Sequence, residues 1–261
     1  MPVRIFVAEP LRAASPLVLP APATRHVHAL RLQPGDALAL FNGEDDAEWP
    51  ATIVEMGRGR VVVRVGDAAR AIARELACEV TLALGVPAND RMDALVEKAG
   101  ELGAAAIQPL VCTRSVLRLA GERADARRRH WQAVAASASE QCGRTRVAAV
   151  LPMVSLADWL RTSAARDVEL RVVLSLDAAA IDAERGFQPS LAQRRPGDAR
   201  PRIVVLSGPE GGLAPDEEDA AVGAGFVRVG LGPRVLRADT APLACLAWLA
   251  VRGAGGEERS R

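Results

Sequence analysis

The sequence predicts an α/β protein with a small β-barrel in front of it, on three observations. Residues 1 to about 70 hold short runs of strand composition, RIFV, ALALF, EWPATIVEM and RVVVRV, separated by turn signals such as QPGD and Asn42-Gly43. From CEVTLALGV, beginning at Cys78, strand-like apolar runs alternate with helical periodicity, as in a parallel sheet. Twice in the second half an apolar run stops at clustered Gly and Pro, in VVLSGPEGGLAPDEEDA and in FVRVGLGPRVLRAD. The first spacing suggests a barrel, and the two glycine loops suggest ligand-binding strand ends on one side of a sheet.

Each element follows from local chemistry. RIFV, ALALF, EWPATIVEM and RVVVRV supply the barrel strands. After CEVTLALGV, a helix starting near Asp90 carries Met92, Leu95, Val96, Ala99 and Leu102 on one face and ends at Gly103. AAIQPL is the next strand, which completes a βαβ unit. A long helix runs from about Arg123 to Gly143, SLADWLRTSA is a short one, and LRVVLSL at 170 to 176 is a strand. Residues 177 to 201, rich in Arg, Pro, Gln and Ala, read as a loop with at most one short helix. VVLS, the acidic helix opened by Pro215, FVRVGL and the closing helix TAPLACLAWLAVRG complete the order. Pro215 followed by Asp216, Glu217 and Glu218 suits a first helical turn, where proline loses no bond and carboxylates meet the positive end of the dipole. The tail GEERSR reads as frayed.

Composition limits function. A chain of 261 residues with 49% hydrophobic and 25% charged residues is a soluble globular protein with one large core or two unequal ones. No apolar run reaches a membrane span, and MPVRIFVAEP lacks a signal-peptide core, so a cytoplasmic protein without a membrane partner is expected. Cys78, Cys112, Cys142 and Cys245 form no CxxC pair, so reduced thiols and no metal are expected. The net charge of +1 argues against binding nucleic acid by bulk charge and leaves room for local arginine patches; Lys98 is the only lysine. Neither GxGxxG after a strand nor GxxxxGK[ST] occurs, which excludes the familiar nucleotide loops.

Three segments could carry chemistry. SGPEGG and GLGPRVLRADTAPL would expose backbone donors and acceptors, and the second adds Arg234, Arg237 and Asp239; the same arginines could also serve as simple caps. SEQCGR places Glu140 and Arg144 four apart, as an intrahelical ion pair or as reacting groups. Upstream, Arg127, Arg128 and Arg129 offer phosphate contacts, with Trp131 as a stacking platform or as core. His26 and His28 alternate as on a strand; with no third ligand near, they are read as exposed or satisfied.

LSGPEGGLAPDE with LGPRVLRADTA resembles the paired C-terminal motifs of the SPOUT methyltransferases, specifically the bacterial 16S ribosomal RNA (uracil-N3)-methyltransferase family. RIFV, RHVHALRLQPGDALALFNG, DRMDALVEKAGELGAAAIQPL and HWQAVAASASEQCGRTRV with LPM fall in that family's order, so the resemblance covers nearly the whole chain. It implies a PUA-like β-barrel for RNA binding over residues 1–72 and a trefoil-knotted SPOUT methyltransferase domain over 73–261. It also implies S-adenosylmethionine as cofactor, 16S ribosomal RNA in the small ribosomal subunit as partner, and a homodimer. A noncatalytic RNA-binding homologue and a ribose 2′-O-methyltransferase of the same superfamily are the alternatives.

The resemblance places the cofactor against Leu176, against Leu206, Ser207, Gly208, Gly211 and Gly212, and against Leu231, Gly232, Pro233, Leu236, Arg237, Ala238 and Asp239. Arg144 and Arg237 are the expected anion-stabilising groups, with Glu140 or Glu210 as proton acceptor. Arg4, Arg25, His26 and Arg31 in the barrel, with Arg127, Arg128 and Arg144, are the expected RNA contacts. Two departures stand out. Ala238-Asp239-Thr240-Ala241 replaces the family's usual Thr-Glu-Thr-Ala, and Ala88-Asn89-Asp90-Arg91 replaces a KGD-like approach to the first helix.

Overall fold

The computed structural model describes residues 2–67, 69–87, 91–117, 119–177, 179–191 and 199–254. The chain divides into two compact units, the first made of residues 1–75 and 136–147, the second of 76–135 and 148–261.

In the first unit the chain runs β1 (Val3–Phe6), β2 (Pro16–Val18), α1 (Ala21–Ala29), β3 (Ala37–Phe41), β4 (Ala47–Gly57), β5 (Arg60–Val65) and β6 (Arg70–Ala71). The sheet order is β1-β3-β4-β5-β2 with β6 on β4; β1 and β3 are parallel and the other pairs antiparallel. β4 alternates, Ala51 and Ile53 buried while Thr52 and Val54 face outward, and Leu38, Leu40, Val61 and Val63 join them in the core. An all-strand reading of this region missed α1. Pro22 sits early in that helix, where its lost N–H costs nothing, and Ala23 and Val27, four apart, join the core. His26 and His28 therefore lie on a helix, not a strand.

The second unit begins with β7 (Glu79–Gly85), α2 (Arg91–Glu101), β8 (Ala106–Val111) and α3 (Gly121–Cys142), whose last residues, from Ala136 on, count with the first unit. There follow β9 (Ala149–Val150), β10 (Val154–Ser155), α4 (Leu156–Trp159), α5 (Ser163–Arg166), β11 (Leu170–Leu174), β12 (Ile181–Asp182) and α6 (Ala183–Leu191). Then come β13 (Arg202–Ser207), α7 (Pro215–Gly223), β14 (Val227–Gly230) and α8 (Thr240–Ala254). All pairs in this sheet are parallel, in the order β10-β8-β7-β13-β11-β14-β12, with β9 on β8. The residues Ile203 to Ser207 are buried without alternation, as expected of a parallel strand covered on both faces.

Because the strands are parallel, their C-terminal ends share one edge. β13 and β14 flank β11, so the two glycine loops are separated by one strand, whose own end carries Ser175, Leu176 and Asp177. The sequence expectation of two loops at one end thus becomes three. Residues 88–90, where the altered approach to α2 falls, and the tail from 255 lie outside the described residues. No helix among the described residues is long and apolar enough to cross a membrane.

Candidate active site

The three strand ends enclose a cavity of about 870 Å³ within the second unit. This size is typical of a small-molecule site. The chain turns sharply into it after β13: a Cβ on Gly208 would lie 2.6 Å from the Leu213 backbone nitrogen, and Gly212 has φ +69°. Only glycine fits the first without displacing backbone, and the second is in the left-handed region glycine favours. Glu217 then ties the loop to its helix, accepting the N–H of Ala214 at 3.0 Å with one oxygen and that of Thr113 at 2.7 Å with the other. Arg114 donates to the carbonyls of Gly211 and Leu213, at 2.8 and 3.1 Å, and holds the outside of the turn.

Most of the expected ligand residues line this cavity: Leu176, Ser207, Gly208, Gly211, Gly212, Leu231, Leu236, Arg237 and Ala238. Glu210 lines it as well, with Arg91 at 3.7 Å. Four do not. Leu206 is fully buried in the core beneath the sheet edge, one residue short of the strand end. Gly232, Pro233 and Asp239 belong to the loop but lie off the cavity wall, Gly232 making the turn with φ +94°.

Several wall residues were not anticipated: Arg91, Arg114, Ser175, Asp177, Glu218, Asp219 and Arg228. Glu218 accepts the Ser175 hydroxyl and Arg228 Nε, each at 2.7 Å, and Arg228 Nη2 reaches Asp219 at 2.7 Å. Glu218 foremost, then Asp219, holds the Arg228 guanidinium above its ordinary pKa. The available signal was the acidic run Asp216 to Asp219 just after the loop, which reads equally well as a helix-dipole feature. Arg234 and Arg237, both exposed and on the wall, have no carboxylate partner among the described residues.

SEQCGR takes a different role from either sequence reading, within the first unit. Arg144 is 3% exposed and forms a two-pronged pair with Glu75, Nε to Oε1 at 2.9 Å and Nη2 to Oε2 at 2.6 Å. Glu140 accepts the Phe6 N–H on Oε1 at 2.8 Å and faces His26 Nδ1 with Oε2 at 3.1 Å. Arg4, 8% exposed, donates to the carbonyls of Ser139, Glu140 and Arg144 and to Glu48, with its guanidinium 4.6 Å from the centre of the Phe41 ring. These arginines are satisfied inside the protein, so the expectation that Arg4 and Arg144 meet RNA is corrected. Burial with matched acceptors leaves no guanidinium face for a phosphate. His26, half-exposed, is committed to Glu140.

Arg25 and Arg31 are exposed around α1. On α3, Arg127 is exposed and Arg128 is half-buried. Trp131 is core, 2% exposed, its indole N–H donating to Asp93 at 3.0 Å; the same carboxylate meets His130 at 2.6 Å. A stacking role for Trp131 is therefore excluded. Among the described residues no group of three His, Cys, Asp or Glu side chains could hold a metal ion.

Known proteins share this architecture. Residues 74–250 match the family model of an RNA methyltransferase domain, and residues 19–66 that of an RNA methyltransferase PUA domain. The ribosomal RNA small subunit methyltransferase E of Mycobacterium bovis is 33% identical over 220 residues, covering 83% of this chain and 78% of its own. The crystal structure of a ribosomal RNA small subunit methyltransferase E from Neisseria gonorrhoeae, bound to S-adenosylmethionine, aligns with a TM-score of 0.79 at 32% identity, over 95% of this chain and 96% of its own. A Legionella pneumophila protein in complex with S-adenosylmethionine as bound cofactor aligns with a TM-score of 0.85 at 28% identity, over 96% and 98%.

Proposed function

Because the chain belongs to the bacterial 16S ribosomal RNA (uracil-N3)-methyltransferase family of the SPOUT superfamily, we propose that it methylates N3 of one specific uridine in 16S ribosomal RNA, on the small ribosomal subunit. At the coarser level it is an S-adenosylmethionine-dependent ribosomal RNA methyltransferase. One observation carries the assignment of the site: three strand ends frame a cavity of about 870 Å³ whose wall bears two exposed arginines, Arg234 and Arg237.

The residues fit the cofactor. The loop after β13 brings bare backbone to the cavity at Gly208, where a Cβ would strike the Leu213 nitrogen. Leu176, Leu231 and Leu236 give apolar wall for an adenine and a methionyl chain. Bound there, S-adenosylmethionine supplies a methyl group already activated by its sulfonium.

The chain's own task is the imide proton. Each unit by which the uracil N3 pKa exceeds the ambient pH costs about 1.4 kcal/mol. Arg237, with Arg234 beside it, faces the negative charge that develops on uracil and lowers that cost. Glu210, which lines the cavity, is the carboxylate assigned to take the proton; Glu140 is not among the lining residues and accepts the Phe6 N–H instead. Arg144 has no part in the chemistry and holds the first unit together. Alignment of the attacking nitrogen on the methyl group supplies the remaining acceleration.

In this reading residues 1–72 are an RNA-binding barrel and 73–261 the methyltransferase domain, with the 230–243 segment threaded as in the knotted family. The enzyme works in the cytoplasm as a homodimer. Val235, 78% exposed on the cavity rim, is an apolar position suited to being covered by a second copy. Nucleoside analysis of 16S ribosomal RNA from a strain lacking the protein tests the target. The expected result is loss of N3-methyluridine, restored by the cloned gene. Loss of a 2′-O-methyl nucleoside instead, or no change, would refute it.

A further inference from the structure

Glu218 uses a single oxygen to join the end of β11 and a residue within β14 to the helix after the glycine loop. Its Oε1 accepts the hydroxyl of Ser175, just past β11, and the Nε–H of Arg228 in β14, each at 2.7 Å, while Glu218 itself stands in the first turn of α7. Ser175 passes the constraint on: its Oγ accepts the N–H of Asp177 at 3.0 Å, and its own N–H is held by the Val229 carbonyl at 3.0 Å. Between Ser175 and Asp177 sits Leu176, 71% exposed and on the cavity wall. An exposed leucine in a turn has no packing of its own to fix it. Its place is set by the hydrogen bonds on either side.

The network is also partly sheltered. Glu218 and Arg228 side chains are 21% and 23% exposed, and Ser175 is 9% exposed, so water competes poorly for these bonds. None of these groups carries a reacting atom.

We propose that Glu218 is the positioning residue of the cofactor wall, acting through Ser175 and Arg228 to hold the 175–177 turn and Leu176 in the shape that S-adenosylmethionine binds. The inference rests on the cofactor reading above and on nothing about the RNA target. It deepens that reading by assigning cofactor affinity to a carboxylate outside the glycine motifs.

The test is S-adenosylmethionine binding by calorimetry to the full chain carrying Ser175→Ala, Glu218→Ala, or both. Amide exchange at Leu176 and Asp177 is measured alongside, with the thermal midpoint and the single-turnover methylation rate at saturating cofactor. Each single change is expected to weaken binding about tenfold, and the double change little more than either, because both break one network. Exchange at Asp177 should accelerate, Ser175→Thr, which keeps the hydroxyl, should hold the parent affinity, and the loss should fall on cofactor affinity more than on the saturated rate. Unchanged affinity overturns the proposal. So do losses that multiply in the double variant, or a fallen midpoint without local exchange at 176–177. If the parent binds cofactor but modifies no uridine N3, the target reading fails and this one stands; if the parent binds none, this one fails.

Discussion

Arg144 and Glu75, 69 positions apart, form a two-pronged ion pair with the arginine only 3% exposed. Removing one partner from a largely buried pair strips the other charge of its two-pronged hydrogen bonds in a poorly solvated place, which costs more than the pair itself is worth. Arg144→Ala should therefore lower stability by about 3–5 kcal/mol in urea unfolding. A loss of a few tenths of a kcal/mol, as for an exposed helical pair, together with abolished turnover would return Arg144 to the reacting base.

Gly208 and Gly211 should differ in severity. A Cβ at Gly208 meets backbone at 2.6 Å, whereas at Gly211 it meets the Arg114 side-chain stem at 3.2 Å. Gly208→Ala should cost about 1–3 kcal/mol and cofactor binding with it, because the loop must open. Gly211→Ala should keep the fold within about 1 kcal/mol, the arginine stem giving way. Thermal unfolding with calorimetry distinguishes them, and equal effects would mean the loop yields at both places.

Arg237 has no carboxylate partner among the described residues, so its alanine variant should leave the fold intact. Single-turnover methylation should fall by about 10²–10³, the loss expected for one donor to a developing anion. The deficit should shrink across about pH 7 to 9.5, as uracil ionises without help. A pH-independent deficit would show that Arg237 orients substrate rather than offsetting its charge.

Salt dependence separates the surface arginines from the buried ones. Neutralising Arg25, Arg31 or Arg127, all exposed, should reduce the slope of log affinity against log salt by about one for each residue that touches a phosphate. Arg4→Ala should act through stability, since its guanidinium is spent on Glu48 and three carbonyls. An Arg4 variant of full stability with a lower slope would reverse that assignment.

Burial pushes the Cys112 thiol up to about 12, helped by the Glu217 charge, and burial does the same for Cys245. Folded thiols raised this far stay protonated while the unfolded chain ionises near its ordinary 9.0. Their contribution to stability is thus complete below about pH 9 and lost as pH climbs toward about 12. Denaturant midpoints measured from pH 8 upward should fall, and Cys112→Ser with Cys245→Ala should flatten the decline. A decline unchanged in that double variant would assign it to other groups.

The two glycine loops were legible because their signal is local. A β-branched run ending in Gly and Pro specifies a strand end with approachable backbone whatever surrounds it, and LSGPEGG and LGPRVLR resembled a known pair. α1 was less legible: RHVHALRL alternates over a few residues as well as it repeats at helical spacing, and only packing of Ala23 and Val27 into the barrel core chose between them.

The sequence alone determined the class of the protein, the alternation of strands and helices in its second unit and the two glycine loops after apolar strands. Tertiary structure decided which charged groups remain available for chemistry. An arginine in a sequence has the same five donors whether they meet phosphate or a buried carboxylate. Arg144 closes on Glu75 and Arg4 on the end of α3 only because the fold brings distant acceptors to them, while Arg237 finds no such carboxylate among the described residues. Desolvation and pairing are set by neighbours far along the chain, and no local pattern encodes them.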